Sequence, residues 1–180
     1  MRWLLVAFVS LAFPALLSAA SVSPKPYVLS QAEVPQGYFL DKDNSLLLSK
    51  TTVDRASNEE SRLLRRLGFM GAYLGTYLST SPPKWRFIHS GAFVFRAAKG
   101  ASELVRTWRT KVPTPFSGRG ERIRLGDEAW LYKDTEGGSA VMWRHGRIVA
   151  YVRCTEMPNH RVLALTLARK QQRRIVTQTR

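Results

Sequence analysis

Asp127 and Glu128, which follow Gly126, form the carboxylate pair in this sequence that is best suited to acid–base chemistry. Two neighbouring carboxyl groups can serve as acid and base when their surroundings push their pKa values apart. Glycine followed by acidic residues is also typical of a turn. The sequence has neither a Gly-x-Ser-x-Gly elbow nor a His-Glu-x-x-His helix. We therefore predict no catalytic residue and favour a non-enzyme, with an exported hydrolase that uses the Asp127–Glu128 pair as the alternative.

The candidate metal ligands are dispersed along the chain. No two of His89, His145 and His160 stand at the spacing of a metal site. Residues 41–45 (DKDNS) resemble the start of a calcium-binding loop, but the later glycine and glutamate that such a loop requires are missing. We predict no metal and no cofactor, and interpret residues 41–45 as a turn.

Two clusters of basic residues are the candidates for anion binding. The first comprises Arg62, Arg65 and Arg66, and the second comprises Arg169, Lys170, Arg173 and Arg174. The whole chain has 28 lysine and arginine residues against 13 acidic ones, a formal net charge of +15. Such a surface attracts polyanions. The alternative is a solvated basic surface without a specific partner, and the anion-binding hypothesis gains if the two clusters share one face.

Aromatic residues on the predicted strands are candidates for a ligand groove. They are Tyr73, Tyr77, Trp130 and Trp143. Their rings could stack on sugars or bases, and packing in the core is the alternative for each of them. Cys154 is the single cysteine. It continues an alternating apolar run, which predicts a buried and inert thiol.

Residues 1–20 have the pattern of a secretory signal peptide. Arg2 provides the positive charge, residues 4–17 are mostly apolar, and the small residues at 18–20 favour cleavage before Ser21. An uncleaved anchor is the alternative. The cleavage region has no cysteine, which excludes lipid attachment at that point. We expect a secreted or periplasmic protein that has no integral membrane segment after cleavage.

Export changes which polyanions the protein could meet. Loss of Arg2, the only charged residue in 1–20, lowers the net charge from +15 to +14. Outside the cytoplasm, the available anions are lipid headgroups, wall polymers and acidic proteins. We therefore expect an anionic envelope component or a protein partner, and no nucleic acid. A structural or sensory accessory domain that dimerises through an aromatic sheet face is a further alternative, and the oligomeric state stays open.

Hydrophobic periodicity predicts one domain over residues 37–176, between an extended leader at 21–36 and a basic tail at 177–180. Helices are predicted at 57–67, 98–112 and 159–176, and strands at 69–79, 85–96, 123–125, 129–132, 139–144 and 147–154. Near 45–51 the pattern indicates either a weak strand or the start of a helix. Ser57-x-x-Glu60 is a capping box for the first helix, and Gly68 is its C-terminal cap. His145-Gly146 is predicted as a hairpin turn. This pattern indicates an α+β fold, an antiparallel sheet of about five to seven strands packed by two or three helices.

Three stretches resemble a pattern in exported bacterial α+β proteins of uncharacterised function. They are LGDEAWLY at 125–132, VMWRHGRIVAYV at 141–152 and LALTLARKQQRRI at 163–175, with a weaker echo at 34–38. The chain is also similar, more distantly, to PsbP-like sandwiches in bacterial lipoproteins and to extracellular sensor domains of some kinases. The resemblance implies an extracytoplasmic antiparallel sheet flanked by helices, usually without catalysis. This chain departs from those families in having no lipid-attachment cysteine and no kinase or spanning segment.

Overall fold

The structure, a computed structural model, describes residues 23–79, 86–110, 120–134, 137–155 and 157–180. The predicted signal peptide at 1–20 lies outside the described residues, as do position 85 of one predicted strand and positions 111–112 of one predicted helix. Within the described ranges, no helix has both the length and the apolar composition needed to cross a membrane.

Seven strands form one sheet in the order β1-β2-β3-β7-β6-β5-β4, and every neighbouring pair is antiparallel. The strands are β1 (Tyr38–Ser49), β2 (Phe69–Ser79), β3 (Arg86–Phe95), β4 (Glu121–Arg122), β5 (Glu128–Lys133), β6 (Ser139–His145) and β7 (Ile148–Cys154). The α-helices are α1 (Lys50–Arg55), α2 (Glu59–Arg66), α3 (Ala98–Thr110) and α4 (His160–Thr179). The predicted α+β class is confirmed. Near 45–51, where the sequence left a strand or a helix start open, β1 ends at Ser49 and α1 begins at Lys50. Strand β4 lies at Glu121–Arg122, just before the strand predicted at 123–125.

Alternation along the strands gives the sheet two apolar faces. On the first, the α4 face, Tyr77 and Trp143 pack in a core with Leu167 of α4. On the second, the α3 face, Phe95 packs in a separate core with Leu104 of α3. Helices α1 and α2 belong to the α3 face, since their buried side chains join that second core. Residues on α2 and residues on α4 therefore lie on opposite sides of the sheet.

Helix α2 begins one residue later than its sequence pattern predicts. The side chain of Asn58 accepts a hydrogen bond from the backbone N–H of Ser61 at 2.8 Å, so Asn58 and not Ser57 is the N-cap. An asparagine caps a helix about as well as a serine. The predicted role of Gly68 is confirmed, because its φ of 74° lies in the left-handed region and its N–H bonds to Arg65 O at 3.0 Å.

The hairpin between β6 and β7 also turns one residue later than predicted. His145 pairs with Ile148, so Gly146 and Arg147 form the turn. Gly146 has a φ of 55°, which a turn of this kind requires. At the C-terminus, α4 continues to Thr179 and includes most of the predicted tail.

Strand β1 contains the segment that resembles a calcium loop. Asp41 pairs with Thr76 and Leu46 pairs with Leu74, so residues 42–45 form an outward bulge in a continuous strand. The Asp41 carboxylate accepts backbone N–H bonds from Asp43 at 3.0 Å and from residue 44 at 3.2 Å. The sequence predicted a turn here, whereas the structure has a bulge within β1 that this local bonding stabilises.

The structure describes the predicted leader from residue 23 onward, and residues 23–36 are called the leader below. It contains two single-turn 3-10 helices, Lys25–Tyr27 and Gln31–Glu33, and is not extended there. Val28 and Leu29 are only 3% and 2% exposed and belong to the core of the α4 face. The leader therefore packs as a structural part of the sheet domain.

Candidate functional site

A buried polar chain holds the leader against the sheet. The N–H of Leu29 donates to Ser90 Oγ at 3.0 Å, and Ser90 Oγ donates to Gln171 Oε1 at 2.9 Å. Gln171 Nε2 donates to Gly91 O at 3.0 Å, and the Gln171 residue has no exposed surface. The chain connects the leader, β3 and α4, so these elements are positioned relative to one another by satisfied buried groups.

Beside this chain, the leader and the edge of the sheet enclose a groove of about 510 Å³, the leader groove. Its sides are mainly apolar and include Leu40 of β1 with Tyr73 and Tyr77 of β2. The hydroxyl of Tyr77 donates to Leu29 O, and burial raises the pKa of Tyr77 to about 12, with the neighbouring Tyr73 adding to the effect. Lys25 Nζ lies 5.9 Å from the centre of the Tyr73 ring. The groove thus has an aromatic wall and a cation at its rim.

The second turn of the leader bonds to α4 through Glu33. Its Oε2 lies 2.9 Å from Arg174 Nη2 and accepts from Arg174 Nε at 3.1 Å, while Lys170 Nζ donates to Glu33 O at 2.8 Å. Ser30 donates to the same carboxylate from its N–H at 2.7 Å and its hydroxyl at 2.8 Å. Burial acts to raise the pKa of Glu33, but the bonds from Ser30 and Arg174 outweigh it and hold that pKa below its ordinary value.

Next to Glu33, the last turns of α4 form a second depression of about 460 Å³, the basic recess. Lys170, Arg173 and Arg174 line it together with Glu33, so three cationic side chains and one carboxylate share the recess. Arg169 is exposed one turn before Arg173. Arg174 lines both the recess and the leader groove, so the two depressions adjoin at this residue. Three residues of the second predicted basic cluster therefore line the recess, and one of them also lines the apolar groove.

The first predicted basic cluster lies elsewhere. Arg65 caps the end of α1, because its Nη1 donates to the carbonyl oxygens of Val53 and, at 2.7 Å, of Ala56. Arg62 and Arg66 are exposed on α2. Since α2 packs on the α3 face, this cluster and the α4 cluster do not share a face, and the structure does not bring them into one site.

The four predicted groove aromatics also separate. Tyr73 and Tyr77 line the leader groove. Trp143 lies on the same face but is fully buried, and its Nε1 donates to Gln172 Oε1 at 2.7 Å. Trp130 is on the α3 face, where the Arg109 guanidinium lies 4.0 Å from its ring centre. Of the four, Tyr73 and Tyr77 line the leader groove, and Tyr73 is the more accessible because Tyr77 is only 1% exposed.

The Asp127–Glu128 pair holds a turn in place. Arg144 donates from Nη1 to Asp127 Oδ2 at 2.7 Å and from Nε to Glu128 Oε1 at 2.9 Å. Asp127 Oδ2 also accepts from the N–H of Gly146 at 2.8 Å. Both carboxylates therefore bind one guanidinium beside the β6–β7 turn. This arrangement accounts for the pair through positioning. Asp127 and Glu128 also line an open depression of about 630 Å³ together with Arg122 and Arg124, and the hydrolase alternative stays a prediction.

The histidines and the cysteine have separate surroundings. His89 contacts Thr76 Oγ1 at 3.2 Å, and His145 and His160 lie within hydrogen-bond distance of Gln172 and Ser139. In the part of the chain that the structure describes, no group of three or more His, Cys, Asp or Glu side chains is arranged to hold a metal. Cys154 is buried as predicted, and burial raises the pKa of its thiol to about 12.

Sequence reasoning did not identify the leader as part of the site. The relevant signal is Ser30-x-x-Glu33, a capping-box pattern of the same kind as Ser57-x-x-Glu60. In the structure, Glu33 completes that box and also binds α4. Gln171 gave no such signal, because its burial depends on how α4 packs.

The sequence matches no protein-family model, and no curated protein matches it. Among solved structures, the fold is similar to that of the extracellular domain of PknH from Mycobacterium tuberculosis, with a TM-score of 0.52 and 10% sequence identity. The similarity covers 85% of this chain and 98% of that domain. The distant resemblance to extracellular kinase domains that the sequence suggested is thereby confirmed for the fold.

Proposed function

We propose that this chain is a secreted or periplasmic, non-catalytic domain of sensor-like fold that binds an anionic envelope component where the leader meets α4. The observation that carries the proposal is the position of Arg174, which lines an apolar groove on one side and a basic recess on the other. Similarity to an extracellular domain and the signal-like pattern at 1–20 support the proposed location.

The charges around Arg174 favour an anionic ligand. Lys170 and Arg173 add two further cations, while Glu33 is the one carboxylate among the described residues that line the recess. Glu33 has a lowered pKa and is ionised at neutral pH, which suits a counter-ion for arginine and not a proton donor. We therefore assign these residues to binding rather than to catalysis.

Binding to anionic vesicles tests this function. Exposed Arg169 and Arg173 on α4 are replaced in R169Q/R173Q, and exposed Arg62 and Arg66 on α2 are replaced in the control R62Q/R66Q. Both variants lose two positive charges, but on opposite faces of the sheet. Sedimentation with vesicles of phosphatidylglycerol and phosphatidylcholine measures their affinity, and pure phosphatidylcholine vesicles report the uncharged background.

We expect R169Q/R173Q to bind about 10- to 30-fold more weakly than the wild type, because each basic residue near an anionic surface contributes about 1 kcal/mol. The control should change the affinity by less than about threefold, and salt should weaken binding of the wild type. Equal losses in the two variants, or vesicle binding that does not respond to salt, would contradict the proposal.

A further inference from the structure

We infer that the ligand is a phosphate-headed lipid monomer whose alkyl chain lies in the leader groove and whose head binds in the basic recess. This inference rests on the proposed function and names its ligand class. A ligand confined to the recess needs only negative charge, whereas one that occupies both depressions must be amphiphilic. Arg174 lines both, so a ligand that contacts this residue from the groove adjoins the recess.

The groove has the character of an alkyl-chain site. Its volume of about 510 Å³ falls within the ordinary range for small-molecule pockets. Leu40 and Tyr73 are half-buried and Pro26 is exposed, so these lining residues present apolar surface to the groove. A chain lying there would remove that surface from water, which favours binding in proportion to the area buried.

The recess has the character of a phosphate site. Lys170, Arg173 and Arg174 carry three positive charges, and Lys25 adds a fourth cation among the residues that line the groove. Glu33 contacts Nε and Nη2 of Arg174, but a guanidinium has several more N–H donors. Arg174 can therefore hold Glu33 and bind a second anion, and planar guanidinium groups suit phosphate oxygens.

Titration calorimetry with soluble alkyl phosphates, below their micellar concentrations, tests the chain and the head separately. The wild-type protein is titrated with octyl, decyl and dodecyl phosphate, with inorganic phosphate, and with dodecyl maltoside as the uncharged amphiphile. We expect dodecyl phosphate to bind at least about tenfold more tightly than either inorganic phosphate or the maltoside. Affinity should rise with chain length, by up to about fourfold for each methylene that is buried.

A variant that fills the groove tests where the chain lies. Leu40→Trp places a bulky neutral side chain in the groove, and Leu46→Trp, on the other face of β1 with Leu46 half-exposed, is the matched control. We expect L40W to weaken dodecyl phosphate binding at least about tenfold and to leave inorganic phosphate binding unchanged. L46W should bind both as the wild type does. Thermal unfolding of each variant verifies that the fold is retained.

The outcomes separate this inference from the proposed function. An affinity that does not depend on chain length, or equal dodecyl phosphate binding by L40W and L46W, would overturn the lipid assignment. If R173Q still weakened inorganic phosphate binding in that case, the α4 anion site would stand without a lipid. If R173Q left both inorganic phosphate and dodecyl phosphate binding unchanged, the proposed function itself would fail. The chain-length series needs no variant, so the test does not depend on the folding of L40W.

Discussion

Replacing the buried Gln171 by leucine should loosen the leader and lower the free energy of unfolding. Gln171 is fully buried, donates to Gly91 O at 3.0 Å and accepts from Ser90 Oγ at 2.9 Å. Leucine has a similar volume but no polar atom, so Q171L removes both bonds and leaves the Gly91 carbonyl and the Ser90 hydroxyl each short of one partner. The substitution thus tests the polar chain without opening a large cavity.

The magnitude follows from those two bonds. Each of the two buried polar groups left without its partner costs about 1–3 kcal/mol, a cost that already includes the lost bond, so the two together cost about 4 kcal/mol. The apolar surface of the new leucine offsets about 1–2 kcal/mol of the loss. We expect a net loss of about 2–3 kcal/mol, which is a large part of the stability of an ordinary domain of about 5–15 kcal/mol.

Urea denaturation measures the loss, with exposed Gln178→Leu near the end of α4 as the control. The control should stay within about 0.5 kcal/mol of the wild type. Ser90→Ala and the double variant S90A/Q171L complete a cycle, in which we expect a coupling of at least about 1 kcal/mol. Hydrogen exchange at the Leu29 amide should accelerate in S90A, because that amide donates to Ser90 Oγ. A Q171L loss below about 0.5 kcal/mol, or additive effects in the cycle, would refute this account of the leader.

Three further predictions concern other parts of the fold. Gly100→Ala should lower the free energy of unfolding despite the higher helix propensity of alanine, because the new Cβ would lie 2.0 Å from the Leu67 carbonyl oxygen. Urea denaturation measures this change, and a gain in stability would contradict the prediction. Glu33→Gln should lower the free energy of unfolding at neutral pH, because it removes the ionic contact with Arg174. The difference from the wild type should disappear as the pH falls below 4.5 and through the lowered native pKa of Glu33, since protonation then removes the same contact in the wild type. Denaturation at a series of pH values measures this difference, and a constant difference would be contrary evidence. Burial raises the pKa of the Cys154 thiol to about 12. At pH 8 this thiol should therefore react with a thiol reagent at least about a hundredfold more slowly in the native protein than in the unfolded protein. Equal reaction rates would disprove its burial.

The fold was predictable because its strands and helices carry strong periodic signals. The stripe of Ala101, Leu104 and Val105 defines α3, and the same residues are buried in the structure. The ends of the helices and strands were harder to predict, because two adjacent residues can each serve as the cap or turn residue. Ser57 and Asn58 can both cap α2, and only the packing of that helix decides between them. Such shifts of one residue leave the topology unchanged, as do the larger extensions of β1, which begins at Tyr38, and of α4, which continues to Thr179.

The site was only partly predictable, because its parts come from distant segments. The basic residues of α4 and the tyrosines of β2 were recognised separately, but their meeting at Arg174 depends on the leader crossing between them. The aromatic set failed to form one surface for a related reason. Trp130 and Trp143 are on neighbouring strands but project to opposite faces, as the alternation along each strand and its register dictate.

The contacts of the leader suggest how ligand binding would be transmitted. Glu33 binds the same guanidinium that we assign to the lipid phosphate, so the two anions share Arg174, and a shift of its side chain toward the phosphate would lengthen its bonds to Glu33. Leu29 is held independently through Ser90 and Gln171. A ligand that drew Arg174 away from Glu33 would therefore loosen the second turn of the leader, while the segment around Leu29 stayed bound to the sheet. Hydrogen exchange should then accelerate at the Glu33 amide and not at the Leu29 amide when dodecyl phosphate is added, whereas equal protection at both would argue that the leader does not respond to the ligand.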